Sequence, residues 1–416
     1  MDHVALMKMT SSKKTRKKKS LKKEWIIRIA LLVASISIVL LLFELAARIY
    51  YSGDEIYERY DDLLEFNNLT GVRLKPNLDV IYSSKFGVRY HIMTNQFGWR
   101  DDALSYQRSK PHRVQIYGDS FVEGVGVDQS DLFTELLEKK YLNDTEVMNF
   151  GLAAMGTSPE YVHYEIEGNS TGSDIVVLVF YIPDLVDNVY EYLLCPYYEL
   201  VNASLLLRNF PSEEEKFNQY VTNAKVNYSS LVRVHAFLSE HSYAYDLFST
   251  SIHSIGFIRR IIGHTASGKI YYLGIGRDYI YLTNESEDYR RSLRITGMLL
   301  ENFSNLAKMR NQSLYVVIIP TKEQIYREEW DAFMQATDHE TSLMDRDKPV
   351  HDLLLICDRL GLACIDLLPV FRSSGQRLYF DLDQHTNKQG HDLIAGTISE
   401  RLIADGVVGP ALNRTV

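Results

Sequence analysis

A serine, a histidine and a carboxylate in this sequence are the residue types that turn a hydroxyl group into a nucleophile. Ser120 lies in the segment Gly118-Asp119-Ser120, and His385 stands two positions after Asp383 near the end of the 416-residue chain. A serine hydroxyl is a weak nucleophile at neutral pH, so it needs an imidazole base, and that base needs a carboxylate to fix its tautomer. We therefore predict Ser120, Asp383 and His385 as a catalytic set for attack on an acyl group.

Both segments also have a purely structural interpretation. A Gly-Asp-Ser segment is typical of a capped turn between a strand and a helix. Asn387 suits the N-cap of a final helix with a solvated polar loop before it, and His391 would then fall on that helix as a packing residue. Each segment alone leaves the chemistry open, and only the two together indicate it.

The elements that must position these residues follow from short apolar runs that alternate with amphipathic stretches from Arg113 onwards. This pattern is typical of an α/β fold with a mostly parallel sheet, in which loops at the carboxyl ends of the strands form the ligand crevice. The predicted strands are Val114–Tyr117, Val147–Phe150, Ile175–Tyr181, Leu314–Pro320 and Ala363–Leu368. The predicted helices are about Asp128–Tyr141, Pro159–Glu167, Tyr289–Arg310, Pro349–Leu360 and Asn387–Ala404. Ser120 follows the first of these strands.

Two further regions precede and interrupt this pattern. In residues 52–110, the lead-in segment, Val88–Thr94 predicts a strand and Asn95–Gly98 a turn, which together indicate a hairpin. Residues 190–287 form an insertion rich in Tyr and Asn. The insertion suits either a lid that contacts substrate or a helical layer that covers one face of the sheet.

The N-terminus has the composition of a membrane anchor. Residues 1–24 carry nine Lys/Arg against Asp2 and Glu24, a charge of +7, which leaves −16 for the remainder of a chain of net charge −9. Ile29–Phe43 is an uncharged apolar run of 15 residues. With Trp25 and its neighbours the run reaches the length that spans a bilayer. The predicted regions are a basic tail (1–24), an anchor (25–51), the lead-in segment (52–110), a main domain (111–405) and a C-terminal tail (406–416).

The basic cluster before the apolar run predicts the orientation of the anchor. The positive-inside rule places the N-terminus in the cytoplasm and everything after Tyr51 outside. A cleaved signal peptide is the alternative, although no small-x-small cleavage site follows the run. The acidic remainder argues against a nucleic-acid partner, because binding to phosphates requires the opposite charge.

Cysteine and histidine usage indicates neither a disulfide framework nor a metal centre. Cys195, Cys357 and Cys364 are too few for a framework, and the sequence leaves a bridge between the last two open. No cluster of His, Cys and carboxylate residues has the spacing of metal ligands. We predict no metal site.

Taken together, the Gly-Asp-Ser block after the first strand and the Asp-x-His block before the last helix resemble those of the SGNH/GDSL hydrolases, over about residues 90–405. Thr94–Asp101 is similar to the stretch that leads into this domain in membrane-anchored bacterial members. The resemblance implies a flavodoxin-like three-layer α/β/α sandwich with a parallel sheet. It also implies hydrolysis or transfer of acyl esters without a metal or organic cofactor.

The resemblance further implies an oxyanion hole. Its donors would be the backbone amides of Ser120 and Gly156, with Ala154 as the alternative to Gly156. A third donor, an Asn side chain, is expected after the third strand, but Pro183 stands there. Either Asn188 supplies the donor from a shifted turn, or the two amides suffice, or the enzyme is slow on simple esters, since loss of one donor typically costs about 10²–10³ in turnover.

Further site residues follow from the same resemblance. Many members place the carboxylate three residues before the histidine, where this chain has Leu382, and Asp383 instead resembles the variant in bacterial proteins of polysaccharide O-acetylation. Asp381 is the second candidate for the histidine's partner. Lys322, in a run after the fourth strand that also resembles the acetylation proteins, is expected to line the site. Asp119 and Asp184, in the segments that follow the first and third predicted strands, are expected to line it too.

The combined expectation is a membrane-anchored extracytoplasmic serine esterase that acts on acyl, chiefly acetyl, esters of a glycan or lipid. The same machinery would serve an O-acetyltransferase of envelope polysaccharides, with a membrane-bound acyltransferase as partner. A protein that binds or assembles glycans without catalysis is a third alternative, and Pro183 is its best support.

Overall fold

The computed structural model describes residues 3–50, 56–57, 59–84, 88–102, 107–153, 156–189, 194–226, 242, 244–245, 277–337, 340–381 and 383–409. Its contacts divide the chain into two compact units. One comprises residues 1–54 and 233–249, and the other comprises residues 55–232 and 250–416. The lead-in segment from residue 55 onwards therefore belongs to the same compact unit as the main domain.

The first unit contains one long helix, α1 (His3–Tyr50). Within it, Trp25–Ile49 has a mean hydropathy of 2.8, and its apolar side chains are exposed. A helix of this length and composition can cross a bilayer. The prediction of one N-terminal apolar helix of membrane-spanning length is confirmed.

The lead-in segment forms small sheets at the start of the second unit. Its strands are β1 (Ile56–Tyr57), β2 (Leu64–Asn67), β3 (Gly71–Leu74), β4 (Asp79–Ser83) and β5 (Arg89–Met93). Strands β2 and β3 pair antiparallel, as do β4 and β5, and β1 pairs parallel with β4. The predicted strand corresponds to β5, but the Asn95–Gly98 turn does not close the hairpin, because β5 pairs with the strand before it. That turn instead directs the chain towards the main domain.

A five-stranded parallel sheet forms the centre of the second unit. The remaining strands of the chain's described part are β6 (His112–Gly118), β7 (Thr145–Gly151), β8 (Ile175–Tyr181), β9 (Tyr197–Val201), β10 (Ser204–Arg208), β11 (Ser313–Ile319) and β12 (Ala363–Asp366). The order across the central sheet is β12-β11-β8-β6-β7, and every neighbouring pair is parallel. This is the doubly wound order of flavodoxin-like folds. All five predicted strands are present.

Helices connect these strands. They are α2 (Ser120–Glu123), α3 (Phe133–Leu136), α4 (Thr157–Glu167), α5 (Asp184–Asp187), α6 (Glu214–Val226), α7 (Glu287–Met309), α8 (Lys322–Ile325), α9 (Arg327–Ala336), α10 (Lys348–Leu360), α11 (Leu368–Ser373) and α12 (Lys388–Ala404). The predicted single helix Asp128–Tyr141 is wrong, because Leu132 is extended and separates a short 3-10 turn from α3 and a π turn. The side chain of Leu132 is buried against Gly124, which holds it out of a helix.

The core consists of two apolar layers on opposite faces of the sheet. Alternate residues of β8 enter them: Val176, Leu178 and Phe180 lie in one layer, and Ile175, Val177 and Val179 lie in the other. Helices α4, α7 and α10 cover the first face, and α3 and α12 cover the second. The predicted three-layer α/β/α architecture is therefore confirmed.

The predicted insertion is described only in part. Strands β9 and β10 form an antiparallel hairpin, and α6 follows it. Most of residues 227–276 lie outside the described residues, so the lid prediction does too.

Candidate active site

Ser120 lies at the carboxyl edge of the central sheet, just after the end of β6. In the sheet, β6 lies between β7 and β8. At this switch point, connections leave in opposite directions and open a crevice. Asp119 is the N-cap of α2 and accepts a hydrogen bond of 2.9 Å from the Phe121 amide. A side chain at Gly118 would overlap Val122 at 2.3 Å, so the strand must end in glycine for α2 to begin here. The turn presents the Ser120 hydroxyl at the crevice.

His385 lies on a loop that the start of α12 holds in place. Asn387 caps this helix by accepting hydrogen bonds from the amides of Gln389 and Gly390. Its own amide group donates to the carbonyl of Arg377 at 2.8 Å. The carbonyl of His385 accepts from the amide of Phe380 at 3.1 Å. The predicted N-cap role of Asn387 is correct, and the same residue braces the loop that carries the histidine.

The structure brings Ser120, His385 and Asp383 into one hydrogen-bonded chain. The Nε2 atom of His385 lies 2.7 Å from the Ser120 hydroxyl oxygen, and Nδ1 bonds Oδ1 of Asp383. The Asp383 oxygen also accepts from the His385 amide at 2.9 Å. Because the carboxylate holds the proton on Nδ1, the lone pair on Nε2 faces the serine hydroxyl. This arrangement is able to withdraw a proton from Ser120.

Electrostatics around the pair favour a basic histidine. Burial by itself lowers the pKa of His385, but the charge and hydrogen bond of Asp383 outweigh it, and Asp119 and Glu123 add to the rise. Burial raises the pKa of Asp383, but the charge and hydrogen bonds of His385 outweigh it and hold that pKa below its ordinary value. The ionised form of Asp383 is therefore favoured beside a histidine of raised pKa.

The predicted oxyanion donors have unequal support. Gly156 is the N-cap of α4, and Asp187 lies so close that an added Cβ would come within 3.2 Å of it. Within the part of the chain that is described, neither the Ser120 nor the Gly156 amide has a protein acceptor. Both remain available to a developing oxyanion. Ala154, the alternative, lies outside the described residues.

Asn188 occupies a different position from the one predicted. Its side-chain amide donates to the hydroxyls of Thr157 and Thr296, both at 3.1 Å, and its oxygen accepts from the Thr157 amide at 3.1 Å. With both N–H groups used, Asn188 ties the start of α4 to α7 and offers no further donor. Pro183, directly before α5, supplies only its carbonyl. Asn188 therefore stabilises the start of α4, where Gly156 is the N-cap, and is not an oxyanion donor in this structure.

Asp381 and Lys322 hold the histidine loop instead of facing the crevice. The Asp381 carboxylate lies 3.5 Å from Arg377, so Asp383 and not Asp381 is the partner of His385. Leu382 lies outside the described residues. The buried Lys322 ammonium donates to the carbonyls of Phe380, Asp381 and Asp383, the last two at 2.7 and 3.3 Å. Burial lowers the pKa of Lys322 to about 8.

The two acidic residues expected to line the site are buried. Burial raises the pKa of Asp119 to about 7. Asp184 accepts a hydrogen bond of 3.1 Å from the Tyr181 amide, while its other oxygen has no partner, and burial raises its pKa well above the ordinary value. Glu160 on α4 is a third buried carboxyl group near them, and the sequence analysis did not single it out. Of these three carboxyl groups, Asp119 acts on the histidine, because its negative charge contributes to the raised pKa of His385.

One further buried acid near the serine was also missed. Glu123, at the end of α2, bonds the Tyr60 hydroxyl and accepts a hydrogen bond of 2.8 Å from the Ala153 amide. The sequence did contain an indication of this buried acid, because Glu123 stands among apolar residues in Phe121-Val122-Glu123-Gly124. Within the described residues, no group of three or more His, Cys, Asp or Glu side chains is arranged to hold a metal ion.

Comparisons with known proteins bear on the fold family. Residues 276–411 match the family model described as the SGNH hydrolase-like domain of the acetyltransferase AlgX. The match includes Asp383 and His385, and Ser120 lies before it. No curated protein sequence matches the chain.

Several solved structures of esterases and lipases also resemble the chain. An acetyl xylan esterase, AlAXEase, is 10% identical over 70% of this chain and 99% of its own, with a TM-score of 0.35. A GDSL-like lipase from Bacteroides thetaiotaomicron is 10% identical over 73% and 93%, with a TM-score of 0.34. The esterase EstA from Pseudoalteromonas sp. is 9% identical over 71% and 98%, also at 0.34. The family match covers residues 276–411, and the central sheet has the strand order of flavodoxin-like folds, so this part of the chain is similar to the SGNH hydrolase-like domain of the acetyltransferase AlgX.

Proposed function

We propose that this protein is a membrane-anchored extracytoplasmic serine esterase that removes acyl groups, chiefly acetyl, from a glycan or lipid. The proposal depends on one observation, the hydrogen-bonded chain from Ser120 through His385 to Asp383 at the carboxyl edge of the central sheet. A serine whose hydroxyl bonds an oriented imidazole is an activated nucleophile. The AlgX-like match agrees with acyl chemistry.

The residues divide the reaction as follows. The Ser120 oxygen attacks the ester carbonyl while Nε2 of His385 takes the hydroxyl proton, and Asp383 stabilises the imidazolium. The amides of Ser120 and Gly156 bind the oxyanion. Collapse of the tetrahedral intermediate breaks the bond to the alcohol, which receives the proton from His385. Water, deprotonated by His385, then attacks the acyl-serine. The bond from the acyl carbon to the Ser120 oxygen breaks, His385 returns the proton to that oxygen, and the free acid leaves.

An O-acetyltransferase is the second candidate, and the match to an acetyltransferase domain favours it. Only the deacylation step would differ. A sugar hydroxyl, and not water, would attack the acyl-serine and accept the acyl group. A membrane-bound acyltransferase would then supply the acyl donor. Water exclusion from the crevice decides between the two outcomes.

The proposed location outside the cytoplasm has two supports. The apolar helix Trp25–Ile49 follows a cluster of basic residues, which the positive-inside rule assigns to the cytoplasm. Cys357 and Cys364 form a disulfide between α10 and β12, and such bonds persist in oxidising compartments. A non-catalytic glycan-binding role, by contrast, has no need for a histidine bonded to Ser120.

The test is hydrolysis of p-nitrophenyl acetate by the full chain in detergent, with Ser120→Ala as the matched control. We expect Ser120→Ala to fold normally and lose the activity. Labelling with a fluorophosphonate probe should be lost in parallel. If the wild type neither hydrolyses the ester nor labels faster than Ser120→Ala, the esterase proposal is wrong. Addition of an acetyl-free oligosaccharide, with mass analysis of the products, separates transfer from hydrolysis.

A further inference from the structure

Three consecutive residues, Trp99, Arg100 and Asp101, connect the lead-in segment to the main domain. Trp99 is buried, stacks on His163 of α4 at 4.8 Å and packs edge-on against Phe150 of β7 at 5.4 Å. Asp101 accepts a hydrogen bond of 3.0 Å from the Asn149 amide on β7, the edge strand of the sheet. The two outer members of the triplet thus fasten the lead-in segment to the sheet beside β6.

The middle residue, Arg100, reaches the segment that follows Ser120. It is 1% exposed. Nη1 donates to the carbonyls of Glu123 and Gly124 at 3.1 and 2.6 Å, and Nη2 donates to those of Val127 and His91, both at 2.9 Å. Three of these four acceptors lie at the end of α2 (Glu123) or in the turn between α2 and the 3-10 helix Gln129–Asp131 (Gly124 and Val127).

Backbone amides satisfy only part of this turn. The amides of Gly124 and Val125 donate to the Ser120 carbonyl at 2.9 and 3.0 Å, and the Val127 amide donates to the Gly124 carbonyl at 3.3 Å. A helix leaves its last carbonyls without partners, and α2 is only four residues long. A buried carbonyl without a donor is costly, so the guanidinium of Arg100 stabilises the turn by donating to the Glu123 and Val127 carbonyls and adding a second donor at Gly124.

A second contact from the lead-in segment acts on the same turn. Tyr60, in a 3-10 helix before β2, donates to the Glu123 carboxylate, which also holds the amide of Ala153 after β7. The turn behind the serine and the loop before Gly156 are therefore linked through a side chain that the lead-in segment fixes. The lead-in segment therefore contacts the turn behind the serine directly and reaches Ala153, before Gly156, through Glu123.

We propose that Arg100 is a positioning residue for the nucleophile. The lead-in segment thereby contributes to the geometry of the active site and does more than connect the anchor to the main domain. Arg100 holds the carbonyls behind α2, and this fixes the angle at which Ser120 faces His385. The inference rests on the proposed function only for its kinetic consequence. The structural part, a turn held by Arg100, stands independently of catalysis.

The experiment compares wild type with Arg100→Met, which keeps the length but removes the donors, and Arg100→Lys, which keeps the charge but not the fork. Arg73→Met is the matched control, because Arg73 lies on the same segment and makes a partly exposed ion pair with Glu65. Two quantities are measured on the full chain: hydrogen exchange of the amides of residues 121–127, and the rate of fluorophosphonate labelling at Ser120.

We expect both Arg100 variants to exchange faster in residues 121–127 and to label about 10- to 100-fold more slowly, since small misplacements of a reacting group cost rates of this order. The Michaelis constant for p-nitrophenyl acetate should stay near that of wild type while turnover falls. If Arg100→Met does not fold, Arg100→Lys alone decides.

Exchange and labelling equal to wild type in a folded Arg100 variant would overturn the inference, as would the same loss in Arg73→Met. Failure of the proposed function has a different signature. In that case wild type itself would not label, while the faster exchange in the Arg100 variants would still support the structural role.

Discussion

Asp383 accepts two hydrogen bonds from His385, one from the ring Nδ1 and one from the backbone amide at 2.9 Å, through the same carboxylate oxygen. One atom therefore sets both the tautomer of the imidazole and the backbone turn that carries it. A substitution by asparagine would separate the two functions. The side-chain oxygen of asparagine can accept the hydrogen bond from the backbone, but it carries no negative charge to stabilise the imidazolium.

The first prediction is that Asp383→Asn keeps the fold and loses most of the activity. The asparagine oxygen still accepts from the His385 amide, so the turn keeps this hydrogen bond. The melting temperature should therefore stay within about 2 °C of wild type, which corresponds to roughly 1 kcal/mol or less in a large domain. Turnover of p-nitrophenyl acetate should fall by about 10³–10⁴, as expected when a base loses its orienting carboxylate. Asp381→Asn is the control, and a comparable loss there would show that the wrong carboxylate was assigned.

The second prediction concerns the pH dependence of turnover. The proposed base must be neutral, so kcat/KM should rise with pH through the pKa of His385, which Asp383 and Asp119 raise above its ordinary value. Asp119→Asn removes one of these negative charges and should move the acid limb of the profile to lower pH. Asp405→Asn, at the far end of α12, should leave the limb in place. A limb that moves to higher pH in Asp119→Asn would contradict the charge argument.

The third prediction is that Lys322→Met loosens the histidine loop. Its ammonium donates to three loop carbonyls and is 3% exposed, so its loss leaves buried acceptors unpaired. We expect a loss of about 1–3 kcal/mol in the free energy of unfolding, together with lower turnover. Urea denaturation and p-nitrophenyl acetate assays measure the two. Lys140→Met, an exposed lysine paired with Asp392, should change neither.

The fourth prediction concerns stability at neutral pH. Both oxygens of Glu160 are buried without a hydrogen-bond partner, and burial, with the charge of Asp119, raises its pKa well above the ordinary value. Its folded pKa exceeds its unfolded pKa, so its contribution to stability is complete at acid pH and is lost as pH rises through the folded value. Asp119 and Asp184 are the titrating groups that face it.

Glu160→Met should therefore raise the melting temperature more at pH 8 than at pH 5. Thermal denaturation at both values, with Glu165→Met on the exposed face of the same helix as control, measures the difference. A gain that is equal at the two pH values would indicate better packing and not the removal of a titrating group.

Sequence reasoning succeeded where a short pattern determines the outcome. Short apolar runs rich in β-branched residues, such as Ile175–Tyr181, indicate strands buried on both faces when amphipathic helices alternate with them, so the strands and the sheet class followed from them. Ser120 and His385 are chemically distinctive and lie at strand and helix ends, where parallel sheets collect functional groups. Their position in space was predictable from topology alone.

Other features depended on partners distant in sequence. Asn188 looked like a free donor, but Thr296 lies 108 residues away and occupies its amide. The break at Leu132 depends on Gly124, and the role of Arg100 depends on carbonyls that any residue could supply. Backbone acceptors leave no trace in residue type, so the sequence did not predict the role of Arg100. The contact of Leu132 with Gly124 forms only in the fold, so the sequence did not predict the helix break either.

The distance along the chain between the serine and its base has a consequence for biosynthesis. Ser120 and His385 are 265 residues apart, and β11, β12 and α12 all follow the insertion. A ribosome makes the serine 265 residues before the histidine. A nascent chain that has not reached residue 385 therefore carries the proposed nucleophile without its base. In the proposed reaction, Ser120 gains its base only once the loop before α12 has docked, so connectivity alone would keep an unfinished chain from being acylated by this route.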